Sequence, residues 1–284
     1  MSHPIRTRRE AEIATLYPQI FSKSWRQRLT AATIALAVTF FTVYCLMTLG
    51  FFDFERIKTG FGKLFGVLRF MLPPASHGRT WVFVQAILET LGMAFLGTLL
   101  ASLASVPLGF LGAKNVIGNP MFHFGLRRFV DFLRGVDALI WALVWINVVG
   151  LGPFAGILAI AVSNTGELAK LFSEAIENID RKQMEGVRAA GANAIQTMVY
   201  AVWPQVFPVM LSNSLYYFES NTRSATILGI VGAGGIGLQL ADRIRVMAWD
   251  QVSLLIIMIL ITVYCIDFFS GRIRRRFINA PRST

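Results

Sequence analysis

The chain has 284 residues, 55% of them hydrophobic and only 15% charged, with a formal net charge of +11. A soluble domain of this length does not sustain that balance, because its surface must be polar. The basic excess flanks hydrophobic blocks and no groove-reading or base-stacking motif accompanies it, which argues against a nucleic-acid binder.

The elements follow in chain order. Residues 1–28 form a basic tail, with Arg6, Arg8, Arg9, Lys23, Arg26 and Arg28 against Glu10 and Glu12. Basic flanks mark the cytoplasmic side of a membrane segment. The basic region is long and the apolar stretch after it is extended, so no cleaved leader is expected. A first span is predicted over 29–49. Residues 51–80 then place Phe54, Ile57, Phe61, Leu64, Phe65, Leu68 and Leu72 at helical spacing, with Lys58, Lys63 and Arg69 between. That pattern predicts a helix lying on the membrane surface, ended by Pro73-Pro74.

The second span is predicted from Trp81 to near Pro107 and holds one charge, Glu89. An intramembrane carboxylate is costly and marks either function or a partner on a neighbouring helix. Here a neighbouring helix near the outer boundary is expected to satisfy it. A third span is predicted over 128–149, with Lys114, Arg127 and Arg128 before it. Gly150-Leu-Gly-Pro153 is a tight turn. A fourth span runs to near Phe172, a charged loop fills 173–193, and a fifth span over 197–218 is bent by Pro204 and Pro208. A sixth is predicted over 252–269. The tail 271–284 carries Arg272, Arg274, Arg275, Arg276 and Arg282.

The uncharged segment 224–241 is long enough to span but contains Gly229, Gly232, Gly234, Gly235 and Gly237. Each glycine costs a helix roughly 1 kcal/mol against alanine. A seventh span would also export the C-terminal arginines, against the charge rule. The segment is therefore expected to be broken or re-entrant, on the outer side. Irregular backbone survives at membrane depth only where it is buried or lines a cavity.

Cys45 and Cys265 lie in apolar spans as small hydrophobic side chains. His3, His77 and His123 show no metal-ligand spacing. The glycine run lacks the Gly-Lys-Ser/Thr ending and the preceding strand of a nucleotide loop. Glu219 and Arg223 are four residues apart, the order that favours a helical ion pair. Arg223 either holds that pair or faces an anion. Ser163, Asn164 and Asn147 add polar side chains within the spans.

Glu185-Gly-Val-Arg-Ala-Ala-Gly191, with Pro204 thirteen residues further on, resembles the cytoplasmic EAA docking loop of ABC-importer permeases. The usual Glu-Ala-Ala is here Glu185-Gly186-Val187, and the usual aliphatic before the proline is Trp203. The resemblance extends further. Asp137-Ala-Leu-Ile-Trp-Ala-Leu143, Gly150-Leu-Gly-Pro-Phe-Ala-Gly156, Tyr216-Tyr-Phe-Glu219, Asn221, Arg223-Ser-Ala-Thr226 and Val231-Gly-Ala-Gly-Gly-Ile-Gly237 look like the phosphonate ABC transporter permease family. The match covers residues from near Pro73 to near Phe269.

The resemblance implies an all-α polytopic membrane protein of the type I ABC importer permease fold, with about six transmembrane helices. Its core is expected over 81–270, with a coupling loop at 173–193. The resemblance also implies an inner-membrane homodimer or paired dimer, two ATP-binding subunits that use ATP and magnesium, and a periplasmic phosphonate-binding protein. No cofactor, metal or catalytic group is expected in this chain. Glu185, Ala189, Gly191 and Pro204 are the expected ATPase-coupling residues. Ser163, Asn164, Glu219, Asn221 and Arg223 are candidates for the translocation path, and Gly232, Gly234, Gly235 and Gly237 for a hinge or close packing. The implied activity is import of phosphonates by alternating access. The alternatives are a permease for phosphite, phosphate or methionine, or an ATP-independent secondary transporter. The latter would show inverted repeats and acidic or histidine relays, which the sequence lacks.

Overall fold

The structure, a computed structural model, describes residues 25–51 and 53–278. The basic tail read at 1–28 lies outside the described residues up to position 24, as does the C-terminal end from 279. Among the described residues every regular element is helical. The chain divides into two units, Met1–Gly66 and Val67–Thr284.

The first unit holds helix α1, Trp25–Thr48, and most of α2, Phe54–Phe70. The α1 side chains from Leu29 to Tyr44 are exposed, as suits a helix that is apolar all round and solvated by lipid. Gly50, at φ +66, turns the chain after α1, and the Phe51 amide returns to the Leu46 carbonyl. Asp53 then accepts from the Arg56 amide at 3.2 Å and starts α2. No α2 residue is buried.

The second unit begins its bundle with α3, Thr80–Gly112, 33 residues and about 50 Å long. It continues through Pro107, five residues past the expected end. Proline is tolerated there because a neighbouring helix supports the segment. Ser105 donates to the Thr165 carbonyl of that neighbour at 3.0 Å. The buried stripe of α3 is mostly small: Ala86, Thr90, Ala94, Gly97, Thr98, Ala101, Ser105, Gly109 and Gly112. Within lipid, helices gain little from apolar burial itself and much from close van der Waals approach, which small residues permit.

The close neighbour is α6, Pro153–Glu177, the buried centre of the unit. A Cβ on Gly97 would lie 2.7 Å from Ile160 Cβ, so only glycine admits this contact. Because α6 is covered by protein, it carries Ser163, Asn164, Thr165 and Glu167, which a lipid-facing span would not tolerate.

The third span expected at 128–149 is a correction: two helices replace it. These are α4, Pro120–Gly135, and α5, Ala138–Val149, bent by 84° to one another. The physical reason is two local caps. Asn119 accepts from the Met121 amide at 3.0 Å, with Pro120 in the first turn, so a helix begins well before Arg128. Asp137 then accepts from the Leu139 amide at 2.8 Å and starts a second helix.

After α6 come the loop helices α7, Arg181–Ala189, and α8, Ala194–Thr197. A π-helical segment, Met198–Val202, leads into α9, Trp203–Leu228, and a second, Gly229–Ala233, closes it. Ala194–Ala233 is thus one apolar rod of 40 residues. It overruns the expected end at Phe218, because the segment 224–228 remains helical. The chain reverses at Gly232–Gly234 into α10, Gly235–Arg245, and α11, Trp249–Ile278, completes the bundle.

Contacts set the directions. Both α3 and α6 run from the Gly232 end toward the α7 end: Gly235 lies beside Thr90, Gly156 beside Ala233, and Gly112 beside Ser173. The rod α9 runs back, from Asp180–Gln205 contacts to a Gly152–Gly232 hydrogen bond of 3.1 Å. Core clusters sit at each level: Met93, Ile160 and Leu228 toward the Gly232 end, and Phe172, Ile176 and Val206 at the α7 end. Among the described residues four helices are long and apolar enough to cross a membrane, α1, α3, the rod 194–233 and α11, and the bent pair α4 and α5 brings the number to five if it counts as one span; the expected six are not all found as long apolar helices.

Candidate functional site

The α7 loop is built from three local devices. Asp180 caps α7 by accepting from the Lys182 amide at 3.0 Å. Gly191, at φ +88, ends it, donating from its amide to the Arg188 carbonyl at 2.9 Å. Asn193 and Gln196 then form a reciprocal capping box that starts α8. The loop is stapled to α9. The Asp180 amide donates to Gln205 Oε1 at 2.9 Å, and Gln205 Nε2 donates to the Ala201 carbonyl at 2.8 Å. Met184 packs into the core at this end. Pro204 sits in the first turn of α9, and before it the Trp203 amide reaches back to the Met198 carbonyl, the wider π register.

The outward face of α7 stays open. Arg181, Lys182, Glu185, Arg188, Ala189 and Gly191 are exposed. No salt bridge joins Arg181, Lys182, Glu185 or Arg188 to another described residue. A rigid, capped helix with unengaged charges of both signs can dock on a complementary surface.

The second cluster lies on α9 and α11. Arg223 Nη1 donates to both Asp267 oxygens, at 3.1 and 3.3 Å. Glu219 is 3.7 Å from Arg223 and 3.9 Å from Arg274. Arg223 and Asp267 are 45% and 40% exposed, while Glu219 is 15% exposed. So the Glu219–Arg223 pair exists, but Asp267 is the tighter partner. Reading the sequence left Asp267 without comment, although it lies inside the sixth span predicted over 252–269, and it placed Arg274 in a tail. An acidic residue inside a predicted span was the available signal. Glu167 was missed likewise; it lies on the protein-covered α6.

The other path candidates lie apart from that exposed pair. Ser163, Asn164 and Asn221 are 6%, 5% and 5% exposed, inside the helix packing. Asn221 donates to Thr98 Oγ1 at 2.8 Å and ties α9 to α3. Among the described residues no His, Cys, Asp or Glu group could hold a metal.

The glycines form a hairpin. Gly232 and Gly234 take φ of +114 and +83. A Cβ on Gly237 would meet the Thr226 carbonyl at 1.9 Å, so α10 lies directly against α9. Glu89 completes this turn. Its Oε2 accepts from the Gly235 amide at 3.2 Å, and Thr90 Oγ1 from the Ile236 amide at 2.9 Å. Two orphan amides of α10 are thereby satisfied, with a carboxylate at a helix N-terminus. The carboxylate expected to find its partner on a neighbouring helix does so here.

A helical membrane bundle with a buried central span, a capped loop helix stapled to a long rod and a glycine reversal at the far end is the fold of a type I ABC importer permease. Solved structures share it: the inward-facing MetNI methionine ABC transporter superposes with a TM-score of 0.61 at 23% identity, over 72% of this chain and 99% of that one. Residues 105–279 match the model of the binding-protein-dependent transport system inner membrane component, and the chain belongs to that family. It is a multi-pass inner-membrane permease subunit. Among its relatives, the phosphite transport system permease protein PtxC of Stutzerimonas stutzeri is 32% identical over 90% of this chain and 92% of its own. The phosphate-import permease protein PhnE of Mycolicibacterium smegmatis is 38% identical over 75% of this chain and 40% of its own. The putative cryptic phosphonate permease PhnE2 of Escherichia coli K12 is 50% identical over 43% of this chain and 99% of its own.

Proposed function

We propose that the chain imports phosphorus oxyanions, phosphonates foremost, by alternating access. The observation that carries this reading is the likeness to PtxC, a phosphite permease by name, across 90% of the chain. The phosphate and phosphonate permeases among its relatives point to the same solute class.

In this reading two ATP-binding subunits supply the energy, hydrolysing ATP with magnesium outside this chain. Each docks on an α7 helix through Glu185, Ala189, Gly191 and the loop around them. A periplasmic binding protein delivers solute at the Gly232 end. The α7 loop and both termini are cytoplasmic. A second copy of the chain completes the pore. Support for that copy comes from Arg223 and Asp267, charges 45% and 40% exposed on spanning helices. Such charges are expensive against lipid, so this face is covered by protein or water. Arg223, held by two carboxylates, acts first as an anchor between α9 and α11. Movement of α7 passes through Gln205 into α9, and the glycine hairpin at its far end takes up the change.

The test is uptake into proteoliposomes holding this chain with its ATPase and binding protein. Labelled phosphonate, phosphite, phosphate and methionine are compared with and without ATP. ATP-dependent uptake of a phosphorus oxyanion is expected. Uptake of methionine alone would overturn the solute class, and uptake without ATP would overturn the coupling.

A further inference from the structure

A cleft of about 410 Å³ lies between α3, α4 and α6 near the α7 end. It belongs neither to the α7 surface nor to the Arg223 cluster. Its charged lining is Arg127, Arg128, Arg134 and Lys170, against Asp131 and Glu174. With Glu177, the partner of Arg127, included, four cations stand against three carboxylates, an excess of one positive charge. A phosphate group carries one to two negative charges at neutral pH, so the charges match.

The cations are loosely held. Arg128 and Arg134 each stand 3.5 Å from Asp131, Lys170 stands 3.9 Å from Glu174, and Arg127 stands 3.7 Å from Glu177. Glu177 already accepts from the Lys114 amide at 2.9 Å. Contrast Arg223, which is hydrogen-bonded to its carboxylate at 3.1 Å. In the cleft, two guanidinium groups share one carboxylate, leaving most of their donors free. Arginine forks of this kind meet phosphoryl oxygens bidentately. The floor of the cleft includes Gly112 and Ala169, small enough to let a tetrahedral group approach the helices.

We infer that this cleft is a binding site for a phosphate group at the α7 end of the bundle. The group comes either from an anionic lipid headgroup or from a free phosphorus oxyanion. The inference rests on the charges of the chain itself and not on which solute is transported.

The full-length chain in nanodiscs gives the test. One arm uses discs of zwitterionic phosphatidylcholine and titrates inorganic phosphate by calorimetry. The other measures phosphatidylglycerol against phosphatidylcholine retained by the purified chain in native mass spectrometry. Phosphate binding in the first arm assigns a free oxyanion. Selective phosphatidylglycerol retention without phosphate binding assigns a headgroup; either supports the site. The double variant Arg128→Gln with Arg134→Gln is expected to weaken binding on the order of tenfold or more. Asp131→Asn, which removes a competing carboxylate and no cation, is expected to strengthen it several-fold and guards against loss by misfolding. Binding of neither probe by the wild-type chain overturns the inference. So does binding that the double variant and Asp131→Asn leave unchanged.

Discussion

Gly191 offers a test in which backbone and surface effects separate. Its φ is +88, and a Cβ placed there meets no atom within 4 Å. Any loss on substitution within this chain therefore arises from the backbone and not from a clash. The left-handed region costs an ordinary L-residue roughly 1–2 kcal/mol, and a β-branched residue more. Asparagine tolerates it, through its short polar side chain. At 1.4 kcal/mol per decade, Gly191→Ala should lower the population of the native turn roughly 5- to 30-fold relative to its alternatives. Gly191→Val should lower it further, and Gly191→Asn should stay near wild type. The readout is the affinity of the partner ATPase for the chain in nanodiscs, beside solute uptake, with membrane insertion measured as a control. If the turn positions the docking helix, affinity falls in the order Asn, Ala, Val while insertion is constant. Wild-type docking in Gly191→Val, or equal losses in Gly191→Asn and Gly191→Val, would refute the reasoning. Equal losses would mean that side-chain volume at the interface matters and the turn does not.

Gln205→Ala removes the α7–α9 staple, the Asp180–Gln205 hydrogen bond, worth roughly 1 kcal/mol. Docking should persist while ATPase stimulation by the binding protein falls several-fold; unchanged stimulation would show that α7 moves α9 by another route. Gly237→Val drives a side chain into the Thr226 carbonyl, 1.9 Å from the new Cβ, and should lower the melting temperature of the purified chain by several degrees, on the order of 3 kcal/mol or more of stability; an unchanged melting curve would contradict the hairpin. Arg223→Asp combined with Asp267→Arg should restore the uptake that each single change removes. Exchange of Glu219 with Arg223 should not, because the carboxylate placed at 223 would face Asp267; the opposite pattern would make Glu219 the working partner. Cysteines introduced at Leu151 and Gly186, in a background lacking Cys45 and Cys265, should label from opposite sides of the membrane, and labelling from one side would defeat the proposed topology.

The apolar blocks made the helical membrane class legible, because twenty uncharged residues leave few other structures. The α7 loop was legible in part: its end at Gly191 was read from the sequence, while the caps at Asp180 and Asn193, local residues too, were not. Two further features were not legible. The 84° bend between α4 and α5 depends on Asp137 acting as a cap, and an aspartate beside an apolar run reads equally as a span boundary. The ion pairs of Arg223 link residues 44 apart in sequence, and spacing within one helix points only to Glu219. Glu89 shows the intermediate case. Its cost in the membrane was legible, and the expectation of a neighbouring helix was right, but no local pattern named the Gly235 amide as its partner.

The rod explains how one end of this chain can inform the other. A bilayer needs a helix of roughly 20 residues. Ala194–Ala233 has 40, about 60 Å of helix. One end carries the Gln205 staple, and the other ends at Gly232, hydrogen-bonded to Gly152 in the turn between α5 and α6. Two π-helical segments flank α9, and Pro208 lies inside it. In the proposed function a tilt imposed at α7 passes along this rod to the glycine hairpin. The hairpin is packed backbone to backbone where Gly229 meets Gly237, and the Leu151, Pro153 and Met93 side chains close on Gly232, Gly234 and Gly235. Such a joint shifts as a body, and Glu89 ties that body to α3 through the first amide of α10. Motion at the Gly232 end thus involves α3, α9 and α10 together, and in the proposed function this links the end where the ATPase docks to the end where solute enters.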